Sequence, residues 1–183
     1  MAQDHSLGNG AYYAPEDYPG FTRRLLVSLI DSVVLLLAGV SLWVPIAIVS
    51  WNIDPYFDPS AIFFLFWFAT VWVYLVPLKR CRIRTIGYRL LGLMIVTTRG
   101  RKPSLMTMAF RMLIWLFGPF NIVLDLIWLG VDTESQTLRD CYVGTYVIRN
   151  GAEPIGFAPV HLTRYNAVGL TLAYPRVCRP KAV

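Results

Sequence analysis

A chain of 183 residues that is 56% hydrophobic and 14% aromatic but only 15% charged carries too little charge for a soluble domain, in which about a quarter of residues are charged. Its mean hydropathy of +0.51 points to a bilayer as solvent. The formal net charge of +6 does not argue for nucleic acid, because the basic residues border apolar runs, the pattern produced by the positive-inside rule. Cys81, Cys141 and Cys178 are widely spaced with no CxxC pair, which argues against a disulfide framework or a zinc site and leaves three reduced thiols.

In chain order, residues 1–20 are polar, rich in Gly, Pro and Tyr, and carry Asp4, Glu16 and Asp17. They lack the basic start and apolar core of a cleaved signal peptide and read as a flexible tail. Tyr12, Tyr13 and Tyr18 are expected in the headgroup belt rather than in a partner site. Phe21 to Val49 is the first span. From Leu25 onward its single charge is Asp31, and roughly 20 helical residues cross the hydrocarbon. An ionised Asp inside lipid costs at least about 2.5 kcal/mol, so Asp31 must face protein, water or a cation. Arg24 is the nearest candidate, since the spacing puts Arg24, Ser28 and Asp31 on one stripe. Ser28, Ser32, Ala38 and Gly39 permit close helix contact nearby.

Trp51 to Ser60 holds two Asp-Pro pairs and no Lys or Arg, which favours a loop. Ala61 to Leu78 is the second span. Arg23 and Arg24 before the first span, Asp54 and Asp58 between the two, and Lys79, Arg80, Arg82 and Arg84 after the second place both the N-terminus and the second loop in the cytoplasm. From Lys79 to Arg111 there is no acidic residue, and each cation near an anionic leaflet contributes about 1 kcal/mol of headgroup attraction. Within it Tyr88 to Thr98 is short, apolar and β-prone, and Arg99-Gly100-Arg101 reads as a turn.

Met106 to Val131 is apolar again but interrupted by Arg111, Gly118-Pro119, Asn121 and Asp125. It is either one kinked helix or a re-entrant hairpin turning at Gly118-Pro119. The basic residues of the following segment favour the hairpin and a cytoplasmic C-terminus.

Three pieces in order, RRLLVSLIDSVVLLL with Arg24 and Asp31, TIGYRLLGLMIV with Gly87, Arg89 and Gly92, and LRDCYVGTYVI with Asp140, Gly144 and Thr145, resemble the RDD family of small membrane proteins, named for an arginine and two aspartates. The resemblance spans about Gly20 to Arg149. It implies that Arg24 is the arginine at the mouth of the first helix, Asp31 the aspartate within it and Asp140 the second aspartate. The chain departs from the family at Ile83, where glycine is frequent, and at Glu134 and Gln136, where a basic run is frequent. The resemblance also makes sense of Leu91 to Val96 and Thr145 to Ile148 as paired short strands on the cytoplasmic face, bringing Asp140 toward Arg24.

The expected fold is an all-α membrane protein with two transmembrane helices, a re-entrant or kinked third helical segment and a small cytoplasmic β-hairpin-like pairing. Residues 1–20 form the N-terminal tail, 21–149 the membrane domain and 150–183 a loosely structured cytoplasmic tail. Within that tail Val168 to Tyr174 is too short to cross. No HExxH, no GxxxxGK[ST] loop and no nucleophile with a base is visible, and His5 and His161 look isolated, so neither an enzyme nor a cofactor is expected. The candidate residues are a charge network of Arg24, Asp31, Asp140, Arg111, Asp125 and Arg139, in which the two aspartates share cations. Two functions follow. In one, Asp31 alternates between protonated and ion-bound states while Arg24 or Arg111 competes for it, giving transport of an ion or small solute by cation/proton exchange. In the other, the charges fix helix packing in a structural or accessory membrane subunit. The expected partners are a bilayer with anionic headgroups and either a homo-oligomer or a larger membrane complex, with no nucleic acid. The expected location is multi-pass in the cell inner membrane with both termini cytoplasmic.

Overall fold

The computed structural model of the chain describes residues 7–115, 136–167 and 170–178. The two expected apolar helices are present as α1 (Phe21–Ile53) and α2 (Ser60–Val73), the latter prolonged by a π-helical segment (Tyr74–Leu78) that accommodates Pro77. A proline has no N–H and its ring crowds the preceding turn, so a widened turn tolerates it better than a regular one. Both helices are long and apolar enough to cross a membrane. Their apolar side chains point outward, Leu36 being 65% and Leu65 70% exposed, the reverse of a core helix in a soluble protein.

At 33 residues, α1 is about 50 Å long, well beyond the ~30 Å of a hydrocarbon core. The surplus is accounted for by its N-terminal turns, where Arg24, Val27 and Asp31 are buried against protein at a spacing of three and four residues, one helical face. Ser28, expected on that face, lies outside it and returns its hydroxyl to the Arg24 carbonyl at 3.1 Å. Farther along, α1 and α2 meet where Gly39 leaves room for the Trp67 ring. Trp43 packs edge-on against Phe63, which stacks on Trp67.

After the second helix come α3 (Ile86–Leu90), β2 (Leu93–Thr97), α4 (Leu105–Trp115), α5 (Leu138–Val143) and β3 (Thr145–Arg149). The strands β2 and β3 pair antiparallel, Leu93 opposite Arg149 and Thr97 opposite Thr145, as the sequence suggests. Successive side chains alternate between faces, and here both faces are covered. Leu93, Ile95 and Val147 pack with Val27, Val76, Tyr88 and Met108 from the helices. Val96, Tyr146 and Ile148 pack instead with Ala158, Val160 and Val177. These last three belong to a second sheet of order β1-β4-β5, built from β1 (Asn9–Tyr12), β4 (Gly156–Ala167) and β5 (Leu170–Val177).

The architecture is therefore mixed helix and strand rather than all-α. Segments expected as tails carry β1 at one end and β4 and β5 at the other, and of the stretch Val168 to Tyr174 the described part, from Leu170 on, lies in β5, paired antiparallel with β4. Tyr13 and Tyr18 are core residues rather than headgroup anchors. They meet edge-on at 6.2 Å, and Tyr18 meets Tyr146 at 5.7 Å. The third apolar segment begins as α4. Gly118-Pro119, Asn121 and Asp125, and with them the choice between hairpin and kinked helix, lie outside the described residues.

Candidate functional site: two carboxylate centres

The short helix α5 begins with a capping box. Thr137 Oγ1 accepts from the Asp140 backbone N–H, and the Asp140 carboxylate accepts from the Thr137 N–H, which satisfies two N–H groups that a helix start leaves orphaned. Gly144 ends the helix in the left-handed conformation at φ 62°, where a side chain would be strained, and turns the chain directly into β3. Asp140 is thereby fixed in position and fully buried.

Around it converge donors from distant parts of the chain. Arg24 Nη1 of α1 donates to Oδ2 at 2.8 Å and Arg111 Nη2 of α4 to Oδ1 at 2.7 Å. The hydroxyls of Thr137 and Thr145 add bonds at 2.9 and 3.0 Å. Burial by itself raises the Asp140 carboxyl, but the guanidiniums of Arg111, Arg24 and Arg139 outweigh it and hold the group well below the usual carboxylate range. Asp140 is thus favoured as an anion and joins α1, α4, α5 and β3.

Asp31 forms the second centre with a different kind of partner. Its Oδ1 accepts from Tyr74 Oη and from the Gly87 backbone N–H, and its Oδ2 from Thr85 Oγ1, all at 2.9 Å. Lys79 Nζ stands 4.0 Å from Oδ2 and 4.6 Å from the centroid of the Tyr88 ring. Burial pushes the Lys79 ammonium down from its ordinary value, Arg111 and Arg139 add to that, and Tyr88 and Asp31 oppose it. Lys79 feels charges of both centres, so the two form one electrostatic unit in which Asp31 and Asp140 face Lys79, Arg24, Arg111 and Arg139.

Gly87 is required by this packing. A Cβ there would lie 2.7 Å from the Val27 carbonyl and 2.8 Å from Asp31 Oδ1. The first is helix backbone, which cannot step aside. Gly87→Ala is expected to lower stability by about 1–3 kcal/mol through overpacking, read as a drop in the thermal unfolding midpoint in detergent. An unchanged midpoint would mean that α3 does not dock on α1 as described.

A model of the RDD family matches residues 18–144. The chain belongs to the RDD family. No curated protein and no solved structure matches it. The family and the two apolar helices together support a membrane protein, and the matched stretch takes in Arg24, Asp31 and Asp140.

Of the six residues expected to form one network in this RDD protein, the structure gathers Arg24, Arg111 and Asp140 by direct contact and Arg139 by its field. Asp125 lies outside the described residues. The expected Arg24–Asp31 partnership is replaced: Arg24 serves Asp140, and the ion-pair partner of Asp31 among the described residues is Lys79. Among the described residues the two aspartates therefore pair with different cations, Asp140 with Arg24 and Arg111 and Asp31 with Lys79. Sequence reasoning missed Tyr74, Thr85 and Thr137 as partners, although Thr137 and Asp140 stand at capping-box spacing. It also missed the fully buried Gln136, whose Nε2 donates to the Thr145 carbonyl at 3.0 Å. His161 is not isolated. Its Nδ1 lies 3.0 Å from Cys178 Sγ and its Nε2 3.1 Å from Thr163 Oγ1. Among the described residues no group of three or more His, Cys, Asp or Glu is placed to hold a metal.

Proposed function

We propose that this RDD protein is a structural or accessory membrane subunit, whose two carboxylate centres latch an α/β head onto a pair of membrane helices, with both termini cytoplasmic. The supporting observation is the coordination of Asp140, where two guanidiniums and two hydroxyls from four elements fill both oxygens. A carboxylate that carries an ion through a cycle has to release its partners, whereas this one holds cations whose loss leaves it dry and charged. In this role the head is the part available to a larger complex or a second copy, and the basic loops face anionic headgroups.

A second reading, cation/proton exchange at Asp31, draws on Lys79. Burial and neighbouring cations weaken the hold of the Lys79 ammonium on its proton, and a cation entering beside Asp31 would displace it across the 4.0 Å gap. Purified protein in liposomes separates the two. The latch reading expects no dissipation of an imposed proton gradient by Na⁺, K⁺ or Li⁺. Cation-dependent dissipation that disappears in Asp31→Asn and in Lys79→Gln would overturn it in favour of exchange.

A further inference from the structure

Immediately beyond the end of the second membrane helix, a cleft of about 260 Å³ opens between the segment that follows Leu78 and the β2 strand. Five cations line it, Lys79, Arg80, Arg82, Arg84 and Lys102, and no carboxylate does so among the described residues. Five like charges around one cleft repel one another unless an anion joins them. Among the described residues the ion pair that reaches this lining joins Lys79 to Asp31 at 4.0 Å.

Two of the guanidiniums are held by backbone carbonyls before any ligand arrives. Arg80 Nε donates to the Pro103 carbonyl at 2.6 Å, and Arg84 Nη1 to the Leu93 carbonyl at 2.9 Å. Each of these bonds uses one nitrogen and leaves the others in a fixed fork, the geometry that recognises phosphate oxygens in pairs. Arg84 is further fixed by a backbone φ of 60°, a conformation that non-glycine residues seldom adopt. Pre-orientation of this kind lowers the entropy lost on binding. Arg82 and Lys102 are exposed at the rim.

We propose that this cleft binds a phosphate monoester group, carried either by a lipid headgroup at the membrane surface or by a soluble phosphate compound. A single carboxylate would leave most of the lining cations unpaired, whereas a phosphate monoester brings close to two negative charges and three acceptor oxygens. The volume is below the about 300 Å³ at which drug-sized pockets begin, which suits a compact headgroup. The proposal is independent of the latch reading, since Asp140 does not line the cleft; it shares Lys79 with the exchange reading, and the variants that test it leave Lys79 in place.

Cys81 lines the same cleft and is exposed, so it reports occupancy. Full-length protein in dodecyl maltoside is treated with N-ethylmaleimide in the presence of dioctanoyl phosphatidic acid, dioctanoyl phosphatidylcholine or inorganic phosphate. Cys178, outside the cleft, serves as the reference thiol. Phosphatidic acid is expected to slow alkylation of Cys81 relative to Cys178, and phosphatidylcholine to leave it unchanged. Equal protection by inorganic phosphate would assign the site to a soluble ligand; protection by phosphatidic acid alone would assign it to a headgroup. In the double variant Arg82→Gln/Lys102→Gln, whose two positions are exposed, the half-protecting concentration is expected to rise by roughly fivefold for each cation removed. Arg23→Gln, an exposed cation away from the cleft, should leave it unchanged. Absence of protection by either phosphate probe, or protection that the double variant retains in full, or the same weakening in Arg23→Gln, would overturn the proposal.

Discussion

Asp140→Asn is expected to lower the unfolding free energy by about 3–5 kcal/mol, because the buried guanidiniums of Arg24 and Arg111 would then lose the attraction of the Asp140 charge. The substitution keeps shape and one carbonyl oxygen, so little of the loss would come from packing. Arg24 and Arg111 are 9% and 7% exposed, and water does not reach them well enough to replace the carboxylate. The same centre dictates an acid response. The Asp140 carboxyl is held below its unfolded value, so the folded state binds fewer protons than the unfolded state over the interval between the two. Its contribution is complete above about pH 4. It declines as the pH falls from there toward the lowered folded value. Unfolding in mixed micelles, followed by tryptophan fluorescence from neutral pH to pH 3, should show wild type losing stability below about pH 4. Asp140→Asn should start lower and lack this part of the slope. Parallel curves would mean that Asp140 is not an anion held by the two arginines.

How much of this was legible in the sequence follows from the range over which each interaction acts. The two long apolar helices are local, since an uncharged apolar run of sufficient length carries its own signal, and they appear where expected. The β2–β3 ribbon was legible because Tyr88 to Thr98 is short, apolar and β-prone and the resemblance to the RDD family suggests Thr145 to Ile148 as its partner. Its partner sheet was not. In β4 the inward positions Ala158 and Val160 are small, and Pro159 between them argues against a central strand, which is the place β4 takes between β1 and β5. Proline is tolerated there because its carbonyl accepts from the Cys178 N–H, so its missing N–H faces the β5 side just past that strand's last residue, Val177, where no ladder bond is lost. The wrong partner for Arg24 has a similar cause. Helical spacing ranks Asp31 as its neighbour, whereas Asp140 is 116 residues away and reaches Arg24 only through the β2–β3 pairing and the capped helix α5. Asp31 in turn finds Thr85 and Gly87 because the π-helical segment and α3 fold back on α1. These are tertiary facts without a local signature.

Asp31→Leu and Asp31→Asn should differ sharply, and the difference tests what the carboxylate is for. Leucine is well suited to a helix facing lipid, so if Asp31 looked into the bilayer the change would stabilise the protein. In the folded chain Asp31 is 4% exposed and accepts from Tyr74, Thr85 and Gly87, with Lys79 at 4.0 Å. Leucine removes every one of those acceptors and leaves an amide and two hydroxyls dry beside a cation, an expected loss of about 3–5 kcal/mol. Asparagine keeps a carbonyl oxygen for Gly87 and Tyr74, and its amide can donate to the Thr85 hydroxyl, which accepts as readily as it donates. Only the attraction to Lys79 is lost, so the expected cost is about 1 kcal/mol. Unfolding midpoints of wild type, Asp31→Asn and Asp31→Leu in detergent should therefore fall in that order, with the asparagine variant close to wild type. A leucine variant as stable as wild type would remove Asp31 from the latch. If the asparagine variant instead falls as far as the leucine one, the ion pair with Lys79 dominates the centre, and the carboxylate is held by charge rather than by its three neutral donors.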